Sequence, residues 1–124
     1  MSSLAHLQGR FIVLDGPDGA GKGTQLNLLE RLLRRQRLRF IRTRDPGGTA
    51  LGERVRDILL GQPGLQLDIR CETLLFMACR AQLVAEVIAP ALADNKAVLC
   101  DRFVSATCAY QGAAGADILS LIHI

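Results

Sequence analysis

Apolar positions along the chain change spacing several times, and each change marks an element. Phe11 to Leu14 is an unbroken apolar run; with Asp15 it reads as a strand apolar on both faces, the pattern expected at the centre of a parallel sheet. Leu26, Leu29, Leu32 and Leu33 recur at helical spacing and predict a helix from Lys22 to about Gln36. Leu38 to Thr43 predicts a second, shorter strand, and strand, helix and strand together predict a right-handed βαβ unit. Pro46, Gly47 and Gly48 break that strand, and Thr49 is placed to cap a helix with Gly52 and Glu53 in its first turn. Leu51, Val55, Ile58 and Leu59 give this helix an apolar stripe, and Gly61-Gln62-Pro63-Gly64 ends it. Asp68 to about Asp94 predicts a long helical region with Leu74, Leu75, Ala78, Ala81, Val84, Ile88 and Leu92 on its inner side, kinked or divided at Pro90. Ala97 to Cys100 predicts a third strand, ending at Asp101-Arg102. A further helix follows with Thr107, Tyr110 and Gln111, then a break at 112–115. The fold class is α/β.

Between the first strand and the first helix lies Gly16-Pro17-Asp18-Gly19-Ala20-Gly21-Lys22-Gly23-Thr24, with the G-x-x-x-x-G-K spacing of a phosphate-binding loop. Glycines let consecutive backbone N–H groups point into one nest. The helix N-terminus adds partial positive charge, and Lys22 adds a full one. A polyphosphate is the ligand such a nest fits. In most such loops a Ser or Thr follows the Lys and supplies a hydroxyl to Mg²⁺; here Gly23 stands there and Thr24 comes one residue later. A metal is then expected to be held by phosphates, water and a carboxylate elsewhere.

Composition narrows the classes. The chain has 124 residues, enough for one modest domain. Its 49% hydrophobic and 22% charged residues suit a folded globular protein and not a disordered one. No apolar run in the sequence approaches a membrane span, and residues 1–8 lack a signal peptide's basic start and apolar stretch, so the expectation is a cytoplasmic protein without a membrane partner. Cys71, Cys79, Cys100 and Cys108 show no C-x-x-C pairing, which favours reduced thiols over a metal site or a disulfide framework. The net charge of +3 is unevenly spread, with Arg31, Arg34, Arg35, Arg37, Arg39, Arg42 and Arg44 close together. Cations in the last turns of a helix and on a solvated face account for them, and 4% aromatics leave little for base stacking, so no nucleic-acid partner is expected.

Three predicted strand ends carry chemistry: Asp15 and the glycine loop, Arg44-Asp45, and Asp101-Arg102. Ligands of parallel sheets bind at those ends. Four blocks then match in order: Gly16 to Gln25, Thr43-Arg-Asp-Pro-Gly-Gly-Thr49, Glu72-Thr-Leu-Leu-Phe-Met-Ala-Cys-Arg-Ala-Gln82, and Asp101-Arg-Phe103 with Ala109-Tyr-Gln-Gly112. Together they resemble the thymidylate kinase family over about residues 9 to 112. The resemblance implies a P-loop NTPase-type parallel sheet flanked by helices, with about three strands present. It implies transfer of the γ-phosphate of ATP to dTMP with Mg²⁺. It gives ATP phosphate binding to Gly16, Asp18, Gly19, Ala20, Gly21, Lys22, Gly23 and Thr24, and metal binding to Asp18 and Asp101. Lys22, Arg102 and Asp18 would be catalytic. Arg102 and Arg56, helped by Arg44, would grip the dTMP phosphate; Asp18 would lie near the sugar 3′-hydroxyl. Phe76 would stack on thymine, Arg80 would donate to a thymine carbonyl, and Thr107 and Gln111 would contact the base. Tyr110 would crowd a ribose 2′-hydroxyl. A homodimer, paired through helices that include residues 72–89, is the expected assembly.

The resemblance divides the chain into a flexible lead-in at 1–9, an incomplete kinase-like domain at 10–112 and an unmatched tail at 113–124. Ala106 and Thr107 stand where family members often carry Ser before the Ala-Tyr-Gln block. Two further strands, a lid and an adenine loop follow in the family, so the first strand is expected to form an exposed edge here. With no lid arginine, the chain is expected to bind phosphates and turn over poorly. The alternatives are a kinase of another monophosphate, suggested by the adenylate-kinase-like Lys22-Gly23-Thr24, and a non-catalytic nucleotide-binding fragment.

Overall fold

The computed structural model describes residues 3–14, 21–61 and 64–101. Its elements are β1 (Phe11–Leu14), α1 (Lys22–Arg35), β2 (Phe40–Arg44), α2 (Ala50–Gly61), α3 (Ile69–Leu83), a π-helical turn (Val84–Ile88), α4 (Ala89–Ala93) and β3 (Ala97–Asp101). The three strands form one parallel sheet in the order β1-β3-β2.

Side-chain alternation along β3 explains why it takes the centre. Val98 and Cys100 enter one cluster with Leu83, Ile88 and Ala91, while Leu99 enters another with Leu26 and Leu33. Both faces of β3 are thus covered, one by the α3–α4 run and one by α1, giving three layers. Fully burying each of these aliphatic side chains contributes roughly 1.5–3 kcal/mol. Of the two strands apolar on both faces, β3 takes the centre, and β1 pairs on one side only among the described residues, the exposed edge expected of it. Val13 is accordingly 36% exposed. β1 and β2 do not pair with each other; β3 lies between them.

The N-terminal segment differs from the expected lead-in. Ala5–Leu7 form a 3₁₀ turn, Leu4 and Leu7 pack against the α1-side cluster, and the Leu4 N–H donates to Gln36 Oε1 at 2.6 Å. Leucines at helical spacing in a polar stretch suffice to close the open end of that layer.

Local signals hold at the helix ends. Thr49 Oγ1 accepts from the Gly52 N–H at 2.8 Å and caps α2. Asp68 accepts from the Arg70 N–H at 3.0 Å and caps α3. Pro90 does not divide the long helix. The preceding turn widens to a π turn, closed by the Ala89 N–H on the Val84 carbonyl, and the chain runs on helically to Ala93.

The inner face of α3 is not the predicted stripe. Thr73, Cys79, Arg80 and Leu83 are buried, whereas Leu74 is 59% exposed and Ala78 and Ala81 face outward. α2 lies so close that a Cβ on Gly52 would sit 2.5 Å from the Gly47 carbonyl oxygen and 3.0 Å from Cys79 Sγ. The helical run Ile69–Ala93 is, by length and composition, long and apolar enough to cross a bilayer. That departs from the sequence expectation; the run nonetheless carries a buried arginine and packs on a sheet.

Candidate functional site

The strand register puts three chain exits in one row. Leu14 pairs with Asp101, and Asp101 pairs with Arg44. The Asp45 N–H donates to the Asp101 carbonyl at 3.2 Å, extending the β2–β3 ladder by one step. Lys22, the first residue of α1, reaches this row: its Nζ lies 2.8 Å from Asp101 Oδ1. Gly21 precedes it at φ +82°, a left-handed conformation that favours glycine, and no side chain caps α1 there. The N-terminal amides of a fourteen-residue helix and a lysine, with no described atom within 4 Å of a Cβ placed at Gly21, form a cradle suited to phosphate.

The loop after β2 is drawn tight by the elements around it. The Asp45–Pro46 bond is cis, and Gly47 and Gly48 have φ of +131° and +81°. Arg44 Nη2 pairs with Glu53 Oε1, the Gly48 N–H donates to Glu53 Oε2 at 3.3 Å, and Arg56 Nη1 donates to the Pro46 carbonyl at 2.9 Å. The bond from Arg44 holds the Glu53 carboxyl below its usual range. Cys79 Sγ accepts from the Gly47 N–H at 3.1 Å. Burial pushes the Cys79 thiol up, and that of Cys100 up to about 12, so both are inert thiols.

Beneath this loop Arg80 meets Asp45. Nε lies 2.7 Å and Nη2 2.5 Å from the same carboxylate oxygen, Oδ2, with the two side chains 1% and 0% exposed. The other oxygen, Oδ1, and Thr43 Oγ1 are buried with no hydrogen-bond partner among the described residues. Burial raises the Asp45 pKa, and the charge and hydrogen bond of Arg80 only partly offset it.

A cleft of about 480 Å³ opens at the strand ends, lined among others by Thr43, Arg44, Gly48, Glu53, Val87 and Asp101. A larger groove of about 720 Å³ lies elsewhere, around Glu30, Arg34, Phe40, Arg42 and Lys96. It is the first cleft that adjoins the strand ends; Arg42, which lines both, is engaged with Asn27 and Glu30.

Of the residues selected from sequence, Lys22 and Asp101 meet directly, Arg44 and Arg56 flank the 45–48 loop, and Arg80 lies beneath it. Phe76, half-buried, sits one turn before Arg80 on α3. Gly21, Gly23 and Thr24 lie at the start of α1. Asp15, Gly16, Asp18, Gly19, Ala20, Arg102, Thr107, Tyr110, Gln111 and the whole of 113–124 lie outside the described residues. Glu53 and Thr43 were not among the selected residues; Asp45 was named at its strand end but given no partner. A lone arginine on an apolar helix face was the available signal, because such a group requires a buried carboxylate.

The thymidylate kinase family model matches residues 14–123, spanning the cradle, the 45–48 loop and α3. The chain belongs to the thymidylate kinase family. It is 52% identical over 106 residues to a thymidylate kinase of Pseudomonas syringae, covering 86% of this chain and 50% of that one. It is 50% identical over 119 residues to one of Pelotomaculum thermopropionicum, covering 95% and 55%. The crystal structure of thymidylate kinase from Ehrlichia chaffeensis aligns with a TM-score of 0.75 and 42% identity, over 90% of this chain and 62% of that one. The chain thus spans about half the length of the curated thymidylate kinases it matches.

The described part of the chain holds no group of three or more His, Cys, Asp or Glu side chains able to cage a metal. A single carboxylate, Asp101, stands beside Lys22. That donor set suits Mg²⁺, which keeps its waters and is bound through one or two carboxylates plus substrate phosphates.

Proposed function

We propose that the protein transfers the γ-phosphoryl group of ATP to dTMP, giving ADP and dTDP. The observation that carries this reading is the Lys22–Asp101 pair, set in the same row of strand ends as Arg44 and the 45–48 loop. Lys22 and the α1 amides hold the donor phosphates. An oxygen of the dTMP phosphate forms the new bond to the γ-phosphorus as the bond to the β,γ-bridging oxygen breaks, and ADP leaves with that electron pair. Lys22 neutralises charge on the transferring group, in the way positioning and electrostatics dominate this chemistry. Arg102 and Arg56, with Arg44, hold the acceptor phosphate; Phe76 and Arg80 take the base, Thr107 and Gln111 contact it, and Tyr110 crowds the 2′ position. Asp101 and Asp18 would hold Mg²⁺ together with the phosphates, and the ion would supply charge neutralisation to the transferring group.

The outward apolar face of α3, with Ile69 and Leu74 exposed and Ala78 and Ala81 beside them, supports a homodimer paired through this helix in the cytoplasm. Titration of ATP and dTMP into the chain, with dTDP formation followed on the chain extended to the length of its relatives, tests the reading. Binding of both nucleotides and transfer to dTMP support it. Transfer to AMP with none to dTMP would replace it by an adenylate-kinase-like activity.

A further inference from the structure

We propose that the open edge of β2 and the basic groove beside it form a docking site for an acidic peptide segment of another protein, which adds to the sheet as an extended strand. The groove starts at the opposite ends of the strands from Lys22 and Asp101: Leu38 and Arg39 precede β2, and Lys96 precedes β3. The proposal therefore stands apart from the reading of the substrates.

Among the described residues β2 pairs with β3 alone and is an edge of the sheet. Along a strand, successive backbone groups face opposite sides. The Arg39 carbonyl accepts from the Ala97 N–H, and the Asp45 N–H donates to the Asp101 carbonyl, so the odd-numbered positions of β2 face β3. The N–H and C=O groups of Phe40 and Arg42 accordingly point away from it, the template that a further strand needs. The groove of about 720 Å³ is lined by the consecutive residues 38–42, with Leu38, Phe40 and Ile41 as its apolar part. An extended peptide laid along it would have main-chain partners on the edge and apolar contacts beside it.

Charge selects the occupant. Arg34, Arg39, Arg42 and Lys96 line the groove against one acid, Glu30, with Asp94 beside it. Guanidinium–carboxylate pairing is already the chemistry of these walls. Arg39 Nη1 lies 2.9 Å from Asp94 Oδ2 and Arg42 Nη1 lies 3.4 Å from Glu30 Oε2, both pairs at least partly open to solvent. Such pairs are worth little, so an incoming carboxylate can exchange for either. Arg34 has no carboxylate partner among the described residues; its guanidinium stands over the Phe40 ring, 5.6 Å from the centroid. That contact disfavours nucleic acid, since the aromatic face on which a base would stack is already taken. A second copy of the chain fails for another reason. Its β2 carries the same Arg39, Arg42 and Arg44, and edge-to-edge pairing would set like charges against one another. Charges on an edge strand ordinarily keep it from pairing; a basic set excludes basic strands and admits an acidic one.

The test is fluorescence anisotropy with three labelled probes: a short peptide of alternating valine and glutamate, its lysine counterpart, and an oligothymidylate. The glutamate peptide is expected to bind about tenfold or more tightly than either other probe, and to weaken as added salt screens the groove. Arg34→Glu and Arg39→Glu are each expected to weaken it by about five- to tenfold, the scale of exchanging an exposed attraction for a repulsion. Arg70→Glu, at the exposed start of α3, is expected to leave it unchanged. Amide hydrogen exchange separates strand addition from loose adsorption. The Phe40 and Arg42 N–H groups are expected to slow by about tenfold or more when the glutamate peptide saturates the chain. No binding of that peptide, equal binding of the lysine peptide, no effect of either groove variant, or unprotected Phe40 and Arg42 amides overturns the proposal. Tighter binding of oligothymidylate, lost in Arg34→Glu, overturns it in favour of a nucleic-acid face. The exchange measurement uses the unmodified chain, so it decides the matter even where a charge reversal disturbs the fold.

Discussion

Lys22–Asp101 and Arg80–Asp45 are ion pairs of similar length at adjacent strand ends, and water separates them in kind. The first is 11% and 32% exposed, the second 1% and 0%. A partly exposed pair is worth less than a sealed one and is more readily exchanged. A sealed pair cannot, since removing one partner strands the other charge in an apolar medium. The same pairing chemistry thus stands in two settings: Lys22 is paired at the first turn of α1, while Arg80 is held within the fold. The difference comes from what covers each pair. Lys22 starts a helix and looks out of the sheet, whereas Arg80 lies mid-helix under a loop fastened by Arg44, Glu53 and Arg56.

The largest expected effect attacks the sealed side. Arg80→Leu is expected to lower stability by about 3 kcal/mol in chemical denaturation, the low end for breaking a buried pair, because Asp45 escapes part of the penalty by taking a proton. Lys22→Ala is expected to leave the denaturation midpoint unmoved and to weaken the ATP analogue by roughly ten- to hundredfold, one charge-assisted contact. A large stability loss in Lys22→Ala would erase the contrast. Gly52→Ala tests the packing that seals the pair: its methyl would meet the Gly47 carbonyl oxygen at 2.5 Å, a backbone atom that cannot swing away. Overpacking of this kind costs about 1–3 kcal/mol in stability by thermal melts.

Much of this was legible in the order of the residues, and the exceptions share a cause. Lys22, Thr49 and Asp68 were placed correctly because caps and glycine loops are local. The inner face of α3 was not, because that helix is apolar nearly all round and periodicity does not choose a side. What chooses is Arg80, and its partner lies 35 positions away on another element. β1 and β3 are equally apolar runs, and only the pairing order reveals which is central. Leu4 and Leu7 were read as lead-in because two leucines in a polar stretch carry no signal until α1 is there to receive them.

Acid conditions sharpen the comparison further. Asp45 has a raised folded-state pKa, so its ionised form costs stability as pH rises through that value. Glu53 and Asp94 are lowered, chiefly by hydrogen bonds from Arg44 and Arg39, so their contributions are lost as pH falls through the folded values. In the difference between the unmodified chain and Asp45→Asn the latter two cancel. That difference should move in favour of the unmodified chain as pH falls toward about 3.8, the ordinary aspartate value, and flatten below it. Among the described residues Arg80 is the charged group that acts on Asp45, and the Cys79 and Cys100 thiols, which burial and Asp45 raise, stay protonated across that range. Below that value Asp45→Asn should match the unmodified chain most closely, since it resembles the protonated form, and the two should part as pH rises. The smallest effect is expected from Glu53→Gln, within about 1 kcal/mol, as for other exposed pairs.

Crossed calorimetric titration tests the division of labour most directly. ATP analogue and dTMP are each titrated into Lys22→Ala and into Arg80→Lys, with the unmodified chain beside them. The account predicts that Lys22→Ala loses the ATP analogue and keeps dTMP, and that Arg80→Lys loses dTMP and keeps the ATP analogue. Loss of both ligands together in either variant, with the fold intact by circular dichroism, would contradict it.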